Sequence, residues 1–408
     1  MLSIAEALGQ VLSLAPCPLG AVWLGLEEAL GRVVAAPILS RRRLPPFDNS
    51  AMDGYAVRAA DLVAGGRLRL VGEAPAGSDG SLRIAAGEAA RIFTGAPLPR
   101  GADSVVMQEH CEAGEGAVGL QEGRGPVKPG QHVRRAGSDV EDGSRLLAPG
   151  AVVEAGEIGL LAACGRAQLQ VWRRPRVAII STGDELVALD EPPLAGQIVN
   201  SNSPALAAMV RAAGGEPCRF PVVPDDPAAH RAAFERAAGF DVVLTSGGVS
   251  VGDHDHVQAS LDELGWQRLF WKVAMKPGKP LLCGRLKSGA VVLGLPGNPA
   301  SSMVAFELFG RPLLRRLQGH PRPFRASCVR ALAAAVKKRA GRSHVLRGRV
   351  VDGAFDALDE QGSGHLRSMV GAEALAVLPA ATTELAVGAS VLCLDLLHDG
   401  ASAPPQFS

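Results

Sequence analysis

The feature that most constrains this chain is the alternation of apolar strand signals and amphipathic helix signals over residues 176–318. Val177-Ala178-Ile179-Ile180 is uniformly apolar, as expected of a strand covered on both faces. Ser203 and Pro204 read as an N-cap and a first helical residue. Leu206, Met209, Val210 and Ala213 follow at helical spacing, and Gly214-Gly215 ends the run. A strand near 220–223, a helix after Pro227, a strand at 241–244 and a helix marked by Val257, Leu261 and Leu264 continue the pattern. Strands separated by helices predict a doubly wound, mostly parallel sheet.

The flanking regions differ. Residues 1–44 read as helical, and 145–175 turn helical again near 157–163, so the two are expected to form one split N-terminal domain. Between them, 45–144 alternates short strand runs with Gly/Pro turns, which predicts an inserted β domain. The α/β region is drawn as 176–325. Residues 326–408 return to short strands and glycine turns and predict a small C-terminal β barrel or sandwich. The fold class is therefore α/β plus β, multi-domain. The length of 408 residues suits such a division, since domains average about 100–200 residues.

Composition narrows the function. A net charge of +1 gives no electrostatic footprint for nucleic acid or an anionic membrane, so an anionic ligand must be held by a local site. Seven cysteines are scattered with no zinc or disulfide spacing, which predicts reduced thiols in a cytoplasmic protein. Ser3 and Glu6 form a capping box for a helix with Ile4, Leu8, Val11 and Leu12 on one face. No apolar run is long enough to span a membrane, and no signal peptide is expected.

Ligands of open α/β sheets gather outside the carboxyl ends of the strands. The unusual loops lie there: Ser181-Thr182-Gly183-Asp184-Glu185, then Thr245-Ser246-Gly247-Gly248-Val249-Ser250, running on to Asp253-His254-Asp255, then Leu295-Pro296-Gly297-Asn298-Pro299-Ala300-Ser301. Paired glycines let backbone N–H groups converge on an anion, and serine hydroxyls add donors. Asp253 and Asp255 have the spacing to hold a divalent metal or orient water. One such loop reads most simply as a solvated turn, but three at one sheet edge predict a ligand site. Neither a Walker A loop nor a G-x-G-x-x-G fingerprint is present. Lys276-Pro277-Gly278-Lys279-Pro280 sets two cations on a stiff loop, suited to an anion. In the β domain, Pro45–Ala56, Thr94-Gly95-Ala96-Pro97 and Arg134–Asp139 are equally readable as capped turns or as site segments.

Together, the segments at 47–58, 94–109, 134–140, 181–186, 245–255, 276–280 and 294–302 resemble, in order, the molybdopterin molybdenumtransferase family, the MoeA type, which also includes the carboxyl-terminal part of gephyrin-like proteins. The resemblance covers essentially the whole chain. It implies a homodimer of four-domain subunits whose α/β domain binds molybdopterin. The implied substrates are adenylated molybdopterin and molybdate, with AMP released, Mg2+ as the divalent ion, and transfer partners among cofactor-pathway proteins and molybdoenzymes.

Carried residue by residue, the resemblance assigns the phosphate portion of the ligand to Gly247, Gly248 and Ser250. It assigns the metal or attacking water to Asp226, Asp253 and Asp255, and places Glu185 in the same pocket. Ser181, Gly183, Asp184, Pro296, Gly297, Asn298 and Pro299 belong to the binding loops. Lys276, Lys279, Pro280, Ser301, Arg347 and Ser363 would approach molybdate. Asp53, Thr94 and Asp139 would face the cleft across the dimer. Two positions depart from the family pattern: His256 stands where an aromatic is usual, and Gly364 follows Ser363 in place of a second serine. The competing readings are a molybdopterin adenylyltransferase, which is usually a short single-domain chain, and a non-catalytic gephyrin-like scaffold.

Overall fold

The computed structural model describes residues 1–63, 65–248 and 256–407. The chain divides into two compact units, Met1–Val22 with Gly150–Val152 and Val171–Ser408, and Trp23–Pro149 with Val153–Gln170.

The first unit begins with α1 (Ile4–Ser13). Its capping box forms as expected: the Ser3 hydroxyl accepts from the Glu6 N–H at 3.2 Å, and the Glu6 carboxylate accepts from the Ser3 N–H at 2.7 Å. The expected helical character of 1–44 ends there. Pro16, Pro18 and Gly20 break the helix, and the chain continues through strands Ala21–Gly25 and Ile38–Leu39.

The central sheet holds β1 (Arg176–Ser181), β2 (Glu216–Arg219), β3 (Val242–Ser246), β4 (Gln267–Trp271), β5 (Leu282–Arg285) and β6 (Val291–Leu295) in the order β2-β1-β3-β6-β5-β4. β2, β1, β3 and β6 run parallel, while β5 and β4 add an antiparallel edge. The apolar runs are two-sided, as the sequence predicts. Val177, Ile179, Val242, Leu244 and Leu293 pack on one face with α1, with Leu206 and Val210 of α2 (Asn202–Ala212), and with Val304 of the later helix Pro299–Ala305. Ala178, Ile180, Val243 and Val292 pack on the other with Phe234 of α3 (Pro227–Ala237) and Leu261 of α4 (His256–Glu263). Each fully buried aliphatic side chain contributes roughly 1.5–3 kcal/mol, so this double face anchors the loops at the strand ends. α2 starts earlier than the sequence predicts. Ser201 is the N-cap, and the Asn200 side-chain Oδ1 accepts from the Ser203 N–H at 3.2 Å.

Beyond α5 (Pro299–Ala305) the C-terminal strands are β7 (Phe324–Ala331), β8 (Ser343–Val351), β9 (Ala354–Ala357), β10 (Ala374–Leu378) and β11 (Ser390–Ala401). They pair antiparallel as β9-β8-β10-β11-β7. A bridge between Leu332 and Phe355 joins β9 to the end of β7 and closes the ring. The short strand Met275–Lys276 pairs with Ser343–His344, which fixes Lys276 against β8.

In the second unit the strands Ser104–Met107, Gly54–Val57, Glu88–Ile92, Arg67–Ala74, Ala117–Leu120 and Cys111–Gly114 form one sheet in that order. Ile38–Leu39 pairs with Arg145–Leu147, and Val153 exchanges backbone hydrogen bonds with Gly31 and Arg32 at 2.8 and 2.9 Å. Helix Ala155–Ala163 follows. All seven cysteines are free. Among the described residues, no helix is long and apolar enough to cross a membrane.

Candidate functional site

Strand order reverses between β1 and β3, the switch point where a doubly wound sheet opens a crevice. There Ser181, Ser246 and the neighbouring Leu295 of β6 stand in register, so the three loops start side by side. Gly247 and Gly248 adopt φ of 96° and 61°. A Cβ on Gly248 would meet Val257 Cγ2 at 2.3 Å, and one on Gly247 would meet the Thr182 carbonyl at 2.9 Å. Only glycine lets the backbone sit this close.

The loops are tied together. The Asn202 amide donates to Ser246 Oγ and to the Gly297 carbonyl, each at 2.6 Å. The Asp184 carboxylate accepts from the Asp225 N–H at 3.0 Å, and the Gly183 N–H reaches the Val223 carbonyl at 3.2 Å.

These loops line one side of a cavity of about 650 Å3. Glu185, Gly247, Gly248, Pro296, Gly297, Asn298, Pro299 and Ser301 all face it, and so do Lys276, Lys279, Pro280 and Ser363. Glu185 is its one described carboxylate, against Lys276, Lys279 and Arg342, so the lining favours an anion. Ser363 is held by Asn298, whose amide donates to its Oγ at 3.0 Å, and its carbonyl accepts from the Ser301 N–H at 3.3 Å.

Some expected residues stand elsewhere. Ser181 is buried at the end of β1, and Gly183 and Asp184 act on loop shape; none of the three lines the cavity. Arg347, expected to reach the oxyanion from the lining, is fully buried on β8. Its guanidinium donates to Ser368 Oγ, at 3.1 and 3.0 Å, and to the carbonyls of Glu360 at 3.2 Å and Gly362 at 3.0 Å. Gln361, locked to the Arg347 backbone on both sides, lines the cavity in its place. Burial without a carboxylate partner pushes the Arg347 pKa down to about 10. One terminal nitrogen, Nη1, has no acceptor among the described residues.

Asp226, expected as a metal ligand, is the N-cap of α3, with its carboxylate accepting from the Ala229 N–H at 2.8 Å. The fold gives it a structural task common to Asp before a helix. Ser250, Asp253 and Asp255 lie outside the described residues. Among the described residues no group of three His, Cys, Asp or Glu side chains could hold a metal.

Asp53, Thr94 and Asp139 belong to the second unit. The Asp53 carboxylate accepts from the Thr94 N–H and Oγ1, both at 2.7 Å, and these bonds hold its pKa below the usual carboxylate value. A Cβ on Gly54 would meet the Val106 carbonyl at 1.9 Å, so glycine is required beside Asp53. Asp139 is exposed, and its N–H donates to the Leu44 carbonyl at 2.9 Å.

Sequence reasoning did not single out Asn202, Arg342 or Gln361. Asn202 sits where an N-cap signal was read slightly too late. Arg342 and Gln361 carry no local pattern, because β8 and a long loop bring them in.

The fold and cavity define a multi-domain α/β protein with a cation-lined crevice at the switch point. Family models match in three blocks: the MoeA N-terminal region (domain I and II) at 2–165, a probable molybdopterin binding domain at 178–316, and the MoeA C-terminal region (domain IV) at 330–396. A molybdopterin molybdenumtransferase of Nostoc sp. is 41% identical over 385 residues, covering 91% of this chain and 88% of the relative. One from Haemophilus influenzae is 38% identical, covering 90% and 89%. The solved molybdopterin biosynthesis MoeA protein of Pyrococcus horikosii superposes with a TM-score of 0.84 at 32% identity, covering 97% of this chain and 99% of that one. The chain belongs to the molybdopterin molybdenumtransferase family, the MoeA type, and is a transferase of molybdenum-cofactor biosynthesis.

Proposed function

We propose that this enzyme inserts molybdenum from molybdate into adenylated molybdopterin and releases AMP. The observation that carries the reading is the division of the cavity. One wall is backbone and glycine, from the loops after β1, β3 and β6. The other is Lys276, Lys279 and Ser363, with Ser363 carried by a segment that the buried Arg347 holds. The first wall suits a phosphoanhydride, since converging N–H groups bind phosphate without a fixed charge. The second suits a small tetrahedral dianion, which needs charge-assisted hydrogen bonds.

In this reading Gly247 and Gly248 hold the phosphate portion, with Ser250 beside them in the motif. Lys276, Lys279 and Ser363 hold molybdate, and Arg347 shapes the 360–362 segment that presents Ser363. Water attacks the adenylate phosphorus, the phosphoanhydride bond breaks and AMP leaves. The two dithiolene thiols form two Mo–S bonds, and one molybdate oxygen leaves as water carrying their two protons. Glu185 lines the pocket and polarises groups near the phosphate wall.

Magnesium would be held by Asp253 and Asp255 of the glycine-loop motif, since Asp226, expected beside them, caps α3. The metal would supply charge neutralisation at the phosphates. A homodimer is part of the proposal. Asp53, Thr94 and Asp139 of a second copy would face the cleft, and sedimentation giving a monomer at micromolar concentration would remove them. A cytoplasmic location and transfer to other cofactor-pathway proteins or molybdoenzymes complete the reading.

The test is release of AMP from adenylated molybdopterin, with molybdate and magnesium supplied. Wild-type protein should release AMP in proportion to molybdate. Asp255→Asn should keep the fold and slow release by on the order of a hundredfold. AMP release independent of molybdate, or unchanged in Asp255→Asn at saturating magnesium, would remove the mechanism.

A further inference from the structure

A second cavity, of about 520 Å3, lies against the first in the same unit and is lined by Lys276, Lys337, Lys338, Arg339, Arg342 and His344, with Ala340 as the sole apolar contributor. Lys276 and Arg342 line both cavities. No carboxylate stands in its lining.

The cations are not equivalent. Lys338 donates to the carbonyls of Arg339, Arg342 and Ala380 at 3.4, 3.1 and 3.2 Å, so it closes the 338–342 loop. Lys337 pairs with Glu384 at 3.4 Å on the surface. That leaves Lys276, Arg339 and Arg342 facing the space, with no carboxylate partner among the described residues. His344 is only 7% exposed, and neither ring nitrogen has a hydrogen-bond partner. It is fixed on β8 beside Lys276 by the strand pairing. A buried polar group without a partner is costly, and one set among cations is a place where an anion repays that cost.

The ligand's chemistry follows from the lining. The space falls within the range of small-ligand pockets, roughly 300–1,000 Å3, and exceeds the need of one tetrahedral oxyanion. No aromatic or extended apolar wall is present to stack a base or a pterin ring. Two guanidiniums offer planar forks for phosphoryl oxygens, and Lys276 adds a point charge.

We propose that this cavity is a second anion site, built for a chain of phosphoryl groups such as a diphosphate or triphosphate, and that its occupation competes through Lys276 with oxyanion binding in the first cavity. The competition rests on the reading that molybdate uses Lys276; the site itself does not. The same phosphate chain is carried by free polyphosphate and by nucleoside triphosphates, so the test must separate them.

Calorimetric titration of the full-length protein with tripolyphosphate, pyrophosphate, ATP, AMP and molybdate does so. Tripolyphosphate should bind more tightly than pyrophosphate, ATP should match tripolyphosphate, and AMP should bind at least about tenfold more weakly. Arg339→Ala, at an exposed position, should lower tripolyphosphate affinity about tenfold or more and leave molybdate affinity unchanged. Lys279→Ala, confined to the first cavity, should do the reverse. Tripolyphosphate that fails to bind wild-type protein, or binds Arg339→Ala equally well, overturns the proposal. ATP binding far more tightly than tripolyphosphate overturns the claim that phosphate alone is read. Tripolyphosphate binding that depends on Arg339, in a protein that binds no molybdate, sustains the second site and defeats the reading of the first.

Discussion

The two walls of the main cavity are built by different means. The α/β wall is backbone: glycines at positive φ, loops started in register by β1, β3 and β6, and one amide, Asn202, holding two of them. The C-terminal wall is side chain. A fully buried arginine on β8 organises a loop that presents Gln361 and Ser363. A backbone site fails when a side chain is added; a side-chain site fails when one is removed.

The largest effect should come from Arg347→Ala. It leaves the carbonyls of Glu360 and Gly362 and the Ser368 hydroxyl without their buried donor, and should cost about 3 kcal/mol or more in urea unfolding. Molybdate affinity should fall tenfold to a hundredfold, on the order of 1.5–3 kcal/mol. Arg347→Lys should recover only part, because an ammonium lacks the planar fork. A stable Arg347→Ala protein with intact molybdate affinity would end the account of this wall.

Gly248→Ala should come next. Its φ of 61° and the 2.3 Å approach to Val257 Cγ2 predict a stability loss of about 1–3 kcal/mol, with weakened binding of the adenylated pterin and near-normal molybdate affinity. Molybdate affinity falling as far as pterin affinity would merge the two walls into one.

Asn202→Ala should cost about 1–2 kcal/mol through its two lost hydrogen bonds, and Asn202→Asp no less, since a carboxylate cannot donate to the Gly297 carbonyl. Thermal unfolding of both variants checks this; an Asn202→Asp protein as stable as wild type would contradict it.

The smallest effect at neutral pH should be that of His344→Leu. Burial, then Lys276, Arg347, Lys338 and Arg342, lowers the His344 pKa from the usual 6.5 to about 4. The unfolded chain therefore takes up this proton first, so the stability contribution is complete above 6.5 and is lost as pH falls toward 4. The variant should flatten that acid limb. An unchanged limb in denaturant melts across the window would show that His344 does not titrate there.

The same contrast explains what the sequence disclosed. The two-sided apolar strands at 177–180 and 241–244, the capping box at Ser3 and the glycine pair at 247–248 are local in sequence and stand where the pattern puts them, whereas the strand expected near 220–223 lies earlier, at Glu216–Arg219. The cavity gathers most of the residues expected of it, including Lys276, Lys279 and Ser363 from distant segments. The helix expected over 1–44 stops at Ser13, because Pro16, Pro18 and Gly20 break it and short strands follow. The resemblance puts Arg347 in the oxyanion site, and no local pattern distinguishes a guanidinium that faces a ligand from one buried under a loop. Gln361 and Arg342 became visible only once β8 was closed into the barrel.

The division of the cavity is tested most directly by locating molybdenum itself. In crystals of this protein soaked with molybdate, anomalous scattering at the molybdenum edge should give a peak bounded by Lys276, Lys279 and Ser363. A peak seated on Gly247 and Gly248, with none at the lysines, would contradict the account.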